Sequence, residues 1–193
     1  MQSKEILTAP IADAIIPSGV VDKPSACGAF IFIDMKLIPL TRGLFTQVDD
    51  ADYDYLMQWK WNAVVKKQTS YATRSFRKGN VCSRMRMHRQ LLNVSNNMEV
   101  DHIDHNGLNN QRYNLRICTR SQNCMNRRPI GRSRFLGVSF HKDKKGDESI
   151  RATIRINGDE IHLGTYKTEE LAARAYDRIA LEYHGKFANL NFK

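Results

Sequence analysis

Apolar and polar positions alternate unevenly along this chain. Residues 1–35 hold no sustained period, and three of the chain's five prolines (Pro10, Pro17 and Pro24) interrupt them. They read as an extension of unknown role with one short strand at "AFIFID". From Leu37 the pattern sharpens. "GLFTQVDDADYDYLMQWKW" reads as a strand, a turn and a short helix, with Asp49 or Asp50 as cap and Tyr53, Leu56, Met57 and Trp61 on one face. "NAVVKK" and "SYATRSFR" follow as two strands of a hairpin. In "SRMRMHRQLLN" arginines and methionines alternate before a helical turn, which gives a strand with one apolar and one cationic side. A break falls at "NRRPIGRSR" (126–134), where proline, glycine and arginines read as a linker or the start of a new module. Beyond it lie three strand-like runs, "FLGVSFHK", "SIRATIRING" and "EIHLGTY". The Asn157-Gly158 pair between the last two is a strong hairpin signal. One helix closes the chain, "TEELAARAYDRIALEYHG", with Thr168 as cap and Gly185 as terminator. Ala172, Ala175, Tyr176, Ile179 and Tyr183 form its apolar stripe.

Charge adds a partner to this outline. Over 193 residues the net charge is +10, but residues 1–60 carry 5 Lys/Arg against 8 Asp/Glu and residues 61–193 carry 25 against 12. A basic block of that size points to a polyanion, most simply nucleic acid. A membrane surface fits poorly, because the cations do not line one face of a long amphipathic helix and no apolar run reaches spanning length. The N-terminal stretch lacks the sustained apolar run of a secretory signal. The four cysteines, Cys27, Cys82, Cys118 and Cys124, form no CxxC pair. They give no zinc ribbon or finger and suit a reducing cytoplasm.

The C-terminal pattern predicts three antiparallel strands with one helix on one face. Ile150, Ala152, Ile154 and Ile156 turn to the helix, which leaves Arg151, Thr153 and Arg155 on the free side. "FLGVSF", "IRATIR" and "IHLGTYKTEELAARAYDRIALEYHGKFANLNF" resemble the plant ethylene-response-factor (Apetala-two type) DNA-binding domain from about Phe135 to Phe192. In that family the sheet reads the DNA major groove. The resemblance implies Leu136, Ser139, His141, Thr153, Arg155 and His162 as the matching positions. Of these only Arg155 is an arginine, so the fold carries over better than the plant sequence preference. Arg155, with Arg151 or His141, is the expected base contact.

The densest polar stretch is "EVDHIDHNGLNNQRYNLR" (99–116). A calcium loop starting at His102 would need a bidentate Glu at its twelfth position, where Tyr113 stands, so an EF-hand is excluded. Phosphodiester hydrolysis needs a base for water and a cation for the developing charge. Asp101 offers a carboxylate and His102 a base. Thr119 and Gln122 have capping-box spacing, which sets Asn123 early in a helix with its amide oxygen free to turn to Asp101. Adjacent strand residues point to opposite faces, so Asp101 and His102 share a site only where the strand ends or kinks. Asp101-His102-Ile103-Asp104, Asn114-Leu115 and Asn123 closely resemble the HNH nucleases of homing endonucleases, in the subgroup ending in Asn. The resemblance implies Asp101 and Asn123 as metal ligands, His102 as general base and Asn114 as the residue pinning the loop. An oxygen ligand in the last position favours magnesium or manganese over zinc. Arg112, Arg116, Arg120 and Arg127 are expected phosphate contacts, and His88 a structural or phosphate-contacting residue. His105 is left outside the site.

Together these readings give an α+β fold. An extension (1–35) precedes an HNH endonuclease region (36–129, ββα-metal core about 82–128, with a β-rich N-terminal part), and a three-stranded-sheet DNA-binding domain (130–193) follows. The expected function is a site-specific, metal-dependent homing-type endonuclease acting on double-stranded DNA. The tandem resembles mobile endonucleases of phage and bacterial genomes, which implies work in the cytoplasm of a bacterial or phage-infected cell. A non-catalytic sequence-specific transcriptional regulator is the alternative, and RNA binding a weaker one. Target sequence, strand count and oligomeric state (monomer or otherwise) are open at this level.

Overall fold

The computed structural model describes residues 35–142, 144 and 146–192. The expected strand at "AFIFID" lies outside them. Strands β1 (Met35–Pro39) and β2 (Phe45–Asp49) form an antiparallel hairpin and run into helix α1 (Asp50–Met57). Strands β3 (Asn62–Val65), β4 (Ser70–Lys78) and β5 (Val81–Arg86) make an antiparallel meander that turns directly into helix α2 (Met87–Leu92). A third pair, β6 (Glu99–His102) and β7 (Leu115–Cys118), is closed by helix α3 (Arg120–Met125). Last come β8 (Val138–Lys142), β9 (Glu148–Ile156) and β10 (Asp159–Tyr166), in spatial order β10-β9-β8, followed by helix α4 (Glu169–His184). The fold is mixed, with several small antiparallel sheets and short helices, as the α+β reading expects.

Two apolar clusters lie within one compact unit, Asp34–Lys193. The first gathers Ile38, Val48, Leu56, Trp61, Met87 and Val100, so α1, α2 and the strands on either side share it. Trp61 lies beyond the end of α1 and donates its indole N–H to the Leu56 carbonyl at 2.8 Å, while Met57 is 44% exposed and leaves the expected face. The second holds Leu136, Ile154, Tyr176 and Ala180. Leu136 is therefore a core residue; its expected place among the DNA-reading positions is corrected by burial. Alternation along β9 holds, with Ala152 and Ile154 buried and Arg155 exposed. On α4 the buried stripe drifts to Ala180 and His184, and Tyr183 is 55% exposed. Successive steps of four residues rotate the stripe past the position Tyr183 would need. The Asn157-Gly158 turn has φ of 52° and 101°, the left-handed pair that a tight hairpin demands. Gly137 (φ 71°) is needed for space as well, since a Cβ there would lie 2.0 Å from the Tyr176 ring.

Candidate active site

β6 ends at His102, and this ending lets two neighbouring side chains serve one cavity. Asp101, His102 and Asn123 all line a cavity of about 190 Å³, together with Tyr71, His105, Asn126, Arg127 and Arg128. Helix α3 reaches it because its start is well fixed. Thr119 accepts from Gln122 N at 3.2 Å while the Gln122 side chain accepts from Thr119 N at 2.9 Å, the expected capping box. Thr119→Ala should cost about 1 kcal/mol in urea unfolding.

The His102 ring is buried at 6% exposure, with its Nε2 3.4 Å from Asn110 Oδ1. Asn110 donates its own NH2 to Thr46 Oγ1 at 2.7 Å, so the amide oxygen is the atom facing the ring. Nε2 therefore carries the proton and Nδ1 keeps a lone pair. Burial lowers the His102 pKa below the usual value; the Asn110 hydrogen bond and the charges of Asp104 and Asp101 oppose this, and Arg86 adds to it. The ring is neutral at pH 7, the form a base requires.

Asn114 is tied as the pinning role requires. Its NH2 donates to Asp104 Oδ1 and to the Asn109 carbonyl, both at 2.9 Å, and its oxygen accepts from Asp104 N at 3.0 Å. The turn over 103–110 is thereby closed on itself. Gly107 in that turn lies against β4, and a Cβ would meet the Ser70 carbonyl at 2.4 Å. The loop is also braced from β2, because Asp49 accepts from Arg112 N at 2.8 Å and from Gln111 Nε2 at 3.2 Å. Asp49 is the N-cap residue of α1 by backbone, but its carboxylate is spent on this loop and gives no side-chain cap.

The expected arginines divide. Arg112 grips Asp52 with Nε and Nη2, both at 2.7 Å, and is an anchor between loop and α1. Arg116 grips Asp101 Oδ2 with Nε at 2.8 Å and Nη2 at 2.6 Å, and its side chain is only 15% exposed. Both expectations of phosphate contact are revised by these pairings, since each guanidinium is already neutralised by a carboxylate. Arg112→Ala should lower stability by about 1–2 kcal/mol, moderated by its half-exposed side chain, and leave the salt dependence of DNA binding unchanged. Arg120 and Arg127 are exposed and take part in no ion pair among the described residues. Arg127 and Arg128 stand at the cavity.

The sequence reading missed Asn126 and left His105 outside the site. Asn126, assigned there to a linker, is 5% exposed and donates to Asp101 Oδ1 and Oδ2, both at 3.0 Å, and to the His102 carbonyl at 3.2 Å. Its i, i+3 spacing from Asn123 was the available signal. His105 (φ 62°) reaches the Asn126 carbonyl with Nε2 at 2.5 Å. His88 is 3% exposed, with its ring centroid 4.9 Å from that of His102. It is a structural residue, and the phosphate-contact alternative is closed by its burial.

The donor set suits a hard cation. Asn123 donates its NH2 to Glu99 Oε2 at 2.6 Å, which leaves the amide oxygen as its second polar atom, and among the described residues Asp101 Oδ1 meets only the Asn126 NH2. One carboxylate and one amide oxygen, completed by water, match the oxygen ligands that a hard divalent cation takes. Among the described residues no group of three His, Cys, Asp or Glu is placed to hold a metal ion. The Cys118 thiol nearby is pushed up to about 11, by burial first and then by the charges of Asp101 and Glu99, and so stays protonated.

On the C-terminal sheet, His141, Arg155 and His162 are exposed, whereas Arg151 and Thr153 are half-buried. Thr153 pairs with His162 across β9–β10, and Arg155 with Glu160, through a loose 3.4 Å ion pair. These residues share the face away from α4, far in sequence from the cavity.

Comparison with known proteins defines the class of the central segment. Residues 93–125 match the model of a family described as HNH endonuclease. Among particular relatives, the chain is 35% identical over 103 residues to a protein called uncharacterized HNH endonuclease L560 from Acanthamoeba polyphaga mimivirus, covering 51% of this chain and 49% of the viral one. It is also 41% identical over 63 residues to APETALA2-like protein 2 of Oryza sativa, in the indica and japonica subspecies alike, covering 33% of this chain and 14% of the rice proteins. The chain thus spans about half the length of the viral relative and a far smaller part of the rice ones. No solved structure matches it.

Proposed function

We propose that the chain is a divalent-metal-dependent DNA endonuclease of homing type, in which residues 36–129 cut and residues 130–193 bind the DNA major groove. The observation that carries this reading is the convergence of Asp101, His102 and Asn123 on one cavity edged by Arg127 and Arg128, which make no ion pair among the described residues. A substrate phosphate at the cavity would meet those two guanidiniums, and a water between it and His102 would lose its proton to Nδ1. Asn110 keeps the ring in the required tautomer, and Asn114 keeps the turn behind it closed. Asp101 and Asn123 are the residues to hold magnesium or manganese, which when bound offsets negative charge on the phosphate and leaving oxygen. His141, Arg151, Thr153, Arg155 and His162 belong to the C-terminal DNA-facing surface in this reading, with Arg120 and Arg127 on phosphates.

Supercoiled plasmid and relative-rich genomic DNA incubated with the full chain test the proposal, in magnesium and in EDTA. Nicking or linearisation that needs magnesium and His102 supports it. Tight DNA binding with no cleavage under any divalent metal would hand the function to the regulator reading.

A further inference from the structure

The Asp101 carboxylate is held from behind by the C-terminal part of the chain. Arg116 stands directly across the β6–β7 pair from Asp101 and sets two of its nitrogens on the single oxygen Oδ2. Its third nitrogen, Nη1, donates to the backbone carbonyl of Lys186, and its guanidinium lies over the Phe187 ring, 4.5 Å from the centroid. Phe187 is 7% exposed yet belongs to neither apolar cluster. Two residues on, Asn189 donates to the Arg127 carbonyl at 2.9 Å. The short turn after α4 (185–187) and the residues following it are thus fastened twice to Arg116, behind Asp101, and once to Arg127 on the cavity wall.

A carboxylate on a short side chain is free to turn unless both oxygens are constrained. Arg116 takes Oδ2, and Asn126 bridges both oxygens from the other side. What keeps Arg116 from turning is the C-terminal segment, since a planar guanidinium can bond a carbonyl edge-on and stack on a ring at once.

We propose that Lys186 and Phe187 are positioning residues of the nuclease centre, acting through Arg116 to aim Asp101 into the cavity. This assignment rests on the endonuclease reading. It gives the C-terminal part a second task besides contact with DNA, because its seating sets the geometry at the cut.

The test uses full-length chains carrying Phe187→Leu, Phe187→Tyr and Arg116→Lys. Manganese binding without DNA is followed by electron paramagnetic resonance of the free ion. Plasmid cleavage in magnesium is resolved into kcat and KM, and melting temperature reports folding. Phe187→Leu and Arg116→Lys, which keep apolar bulk and charge respectively, should each lose roughly 10–100-fold in manganese affinity and in kcat with KM near wild type, whereas Phe187→Tyr should retain both. Should Phe187→Leu fail to fold, Phe187→Met, which also removes the ring under Arg116 while keeping apolar bulk, takes its place with the same expected losses. Unchanged manganese affinity and kcat in the folded variants, or a rise in KM alone, overturns the positioning role. A wild type that binds manganese and cleaves no DNA sinks the endonuclease reading, while the loss of manganese affinity in the variants still upholds the positioning. A wild type that binds no manganese overturns the positioning proposal itself.

Discussion

Replacing His102 by alanine is expected to slow DNA cleavage by roughly 10²–10⁴-fold, the usual contribution of a positioned general base, while DNA affinity measured in EDTA stays within about twofold. The reason is geometric. The ring lies on the cavity wall beside Asp101, with Nε2 committed to Asn110 and Nδ1 left as the basic atom. Asn110→Ala is the companion experiment. It removes the acceptor that selects the tautomer and leaves the ring in place, so its kcat should fall less than that of His102→Ala, with the acid limb of the pH profile displaced. Burial lowers the His102 pKa and the Asn110 bond raises it, so the loss of Asn110 moves that limb to lower pH. A His102→Ala chain that cleaves as fast as wild type, with magnesium required, would remove this residue from the mechanism.

Acidification should destabilise the fold before the carboxylates titrate. Burial, the neighbouring His102 and the charges of Arg86 and Arg89 press the His88 pKa down to about 2. Its ring edge also meets Tyr71. In the unfolded chain His88 takes a proton near the usual 6.5, and in the folded chain it does not. The folded pKa is the lower one, so this stability is complete above pH 6.5 and drains away as the pH falls from 6.5 toward 2. The slope approaches about 1.4 kcal/mol per pH unit, or about 2 kcal/mol lost by pH 5 from His88 alone. His102 acts in the same direction. Urea unfolding at pH 7.5 and pH 5, for wild type and His88→Phe, measures it: the variant should show the flatter dependence. Equal losses in both would mean that His88 is not the source.

Local signals were legible in the sequence. The Thr119 and Thr168 caps, the Asn157-Gly158 turn and the alternation along β9 are each written within a few residues, and each is seen in the fold. Pairings across long stretches were not. Arg112 and Arg116 look like phosphate contacts until Asp52, 60 positions away, and Asp101, across a strand pair, are brought against them. Asn126 sits in a run of arginine, proline and glycine whose composition resembles a linker, although one turn of helix separates it from Asn123. Asp49 has the look of a helix cap, and only the arrival of Gln111 and Arg112 shows where its carboxylate goes. Composition describes what a segment tends to do alone, and these residues are defined by what folds against them.

The brace between β2 and the loop sets a lower limit on what can be cut away. Gln47 exchanges backbone bonds with Leu108 and Asn110, both at 2.8 Å, and Thr46 Oγ1 donates to the Leu108 carbonyl at 2.7 Å while accepting from Asn110. The 93–125 segment matched by the family contains every loop residue and none of these partners. Excised as a peptide, it would present Asn110 and the 108–112 backbone to water, with no strand to dock on and no hydroxyl to orient the amide behind His102. The smallest segment that keeps this loop docked therefore has to begin upstream of Thr46, and the first described hairpin is as much a part of the proposed scissors as the strands that hold the blades.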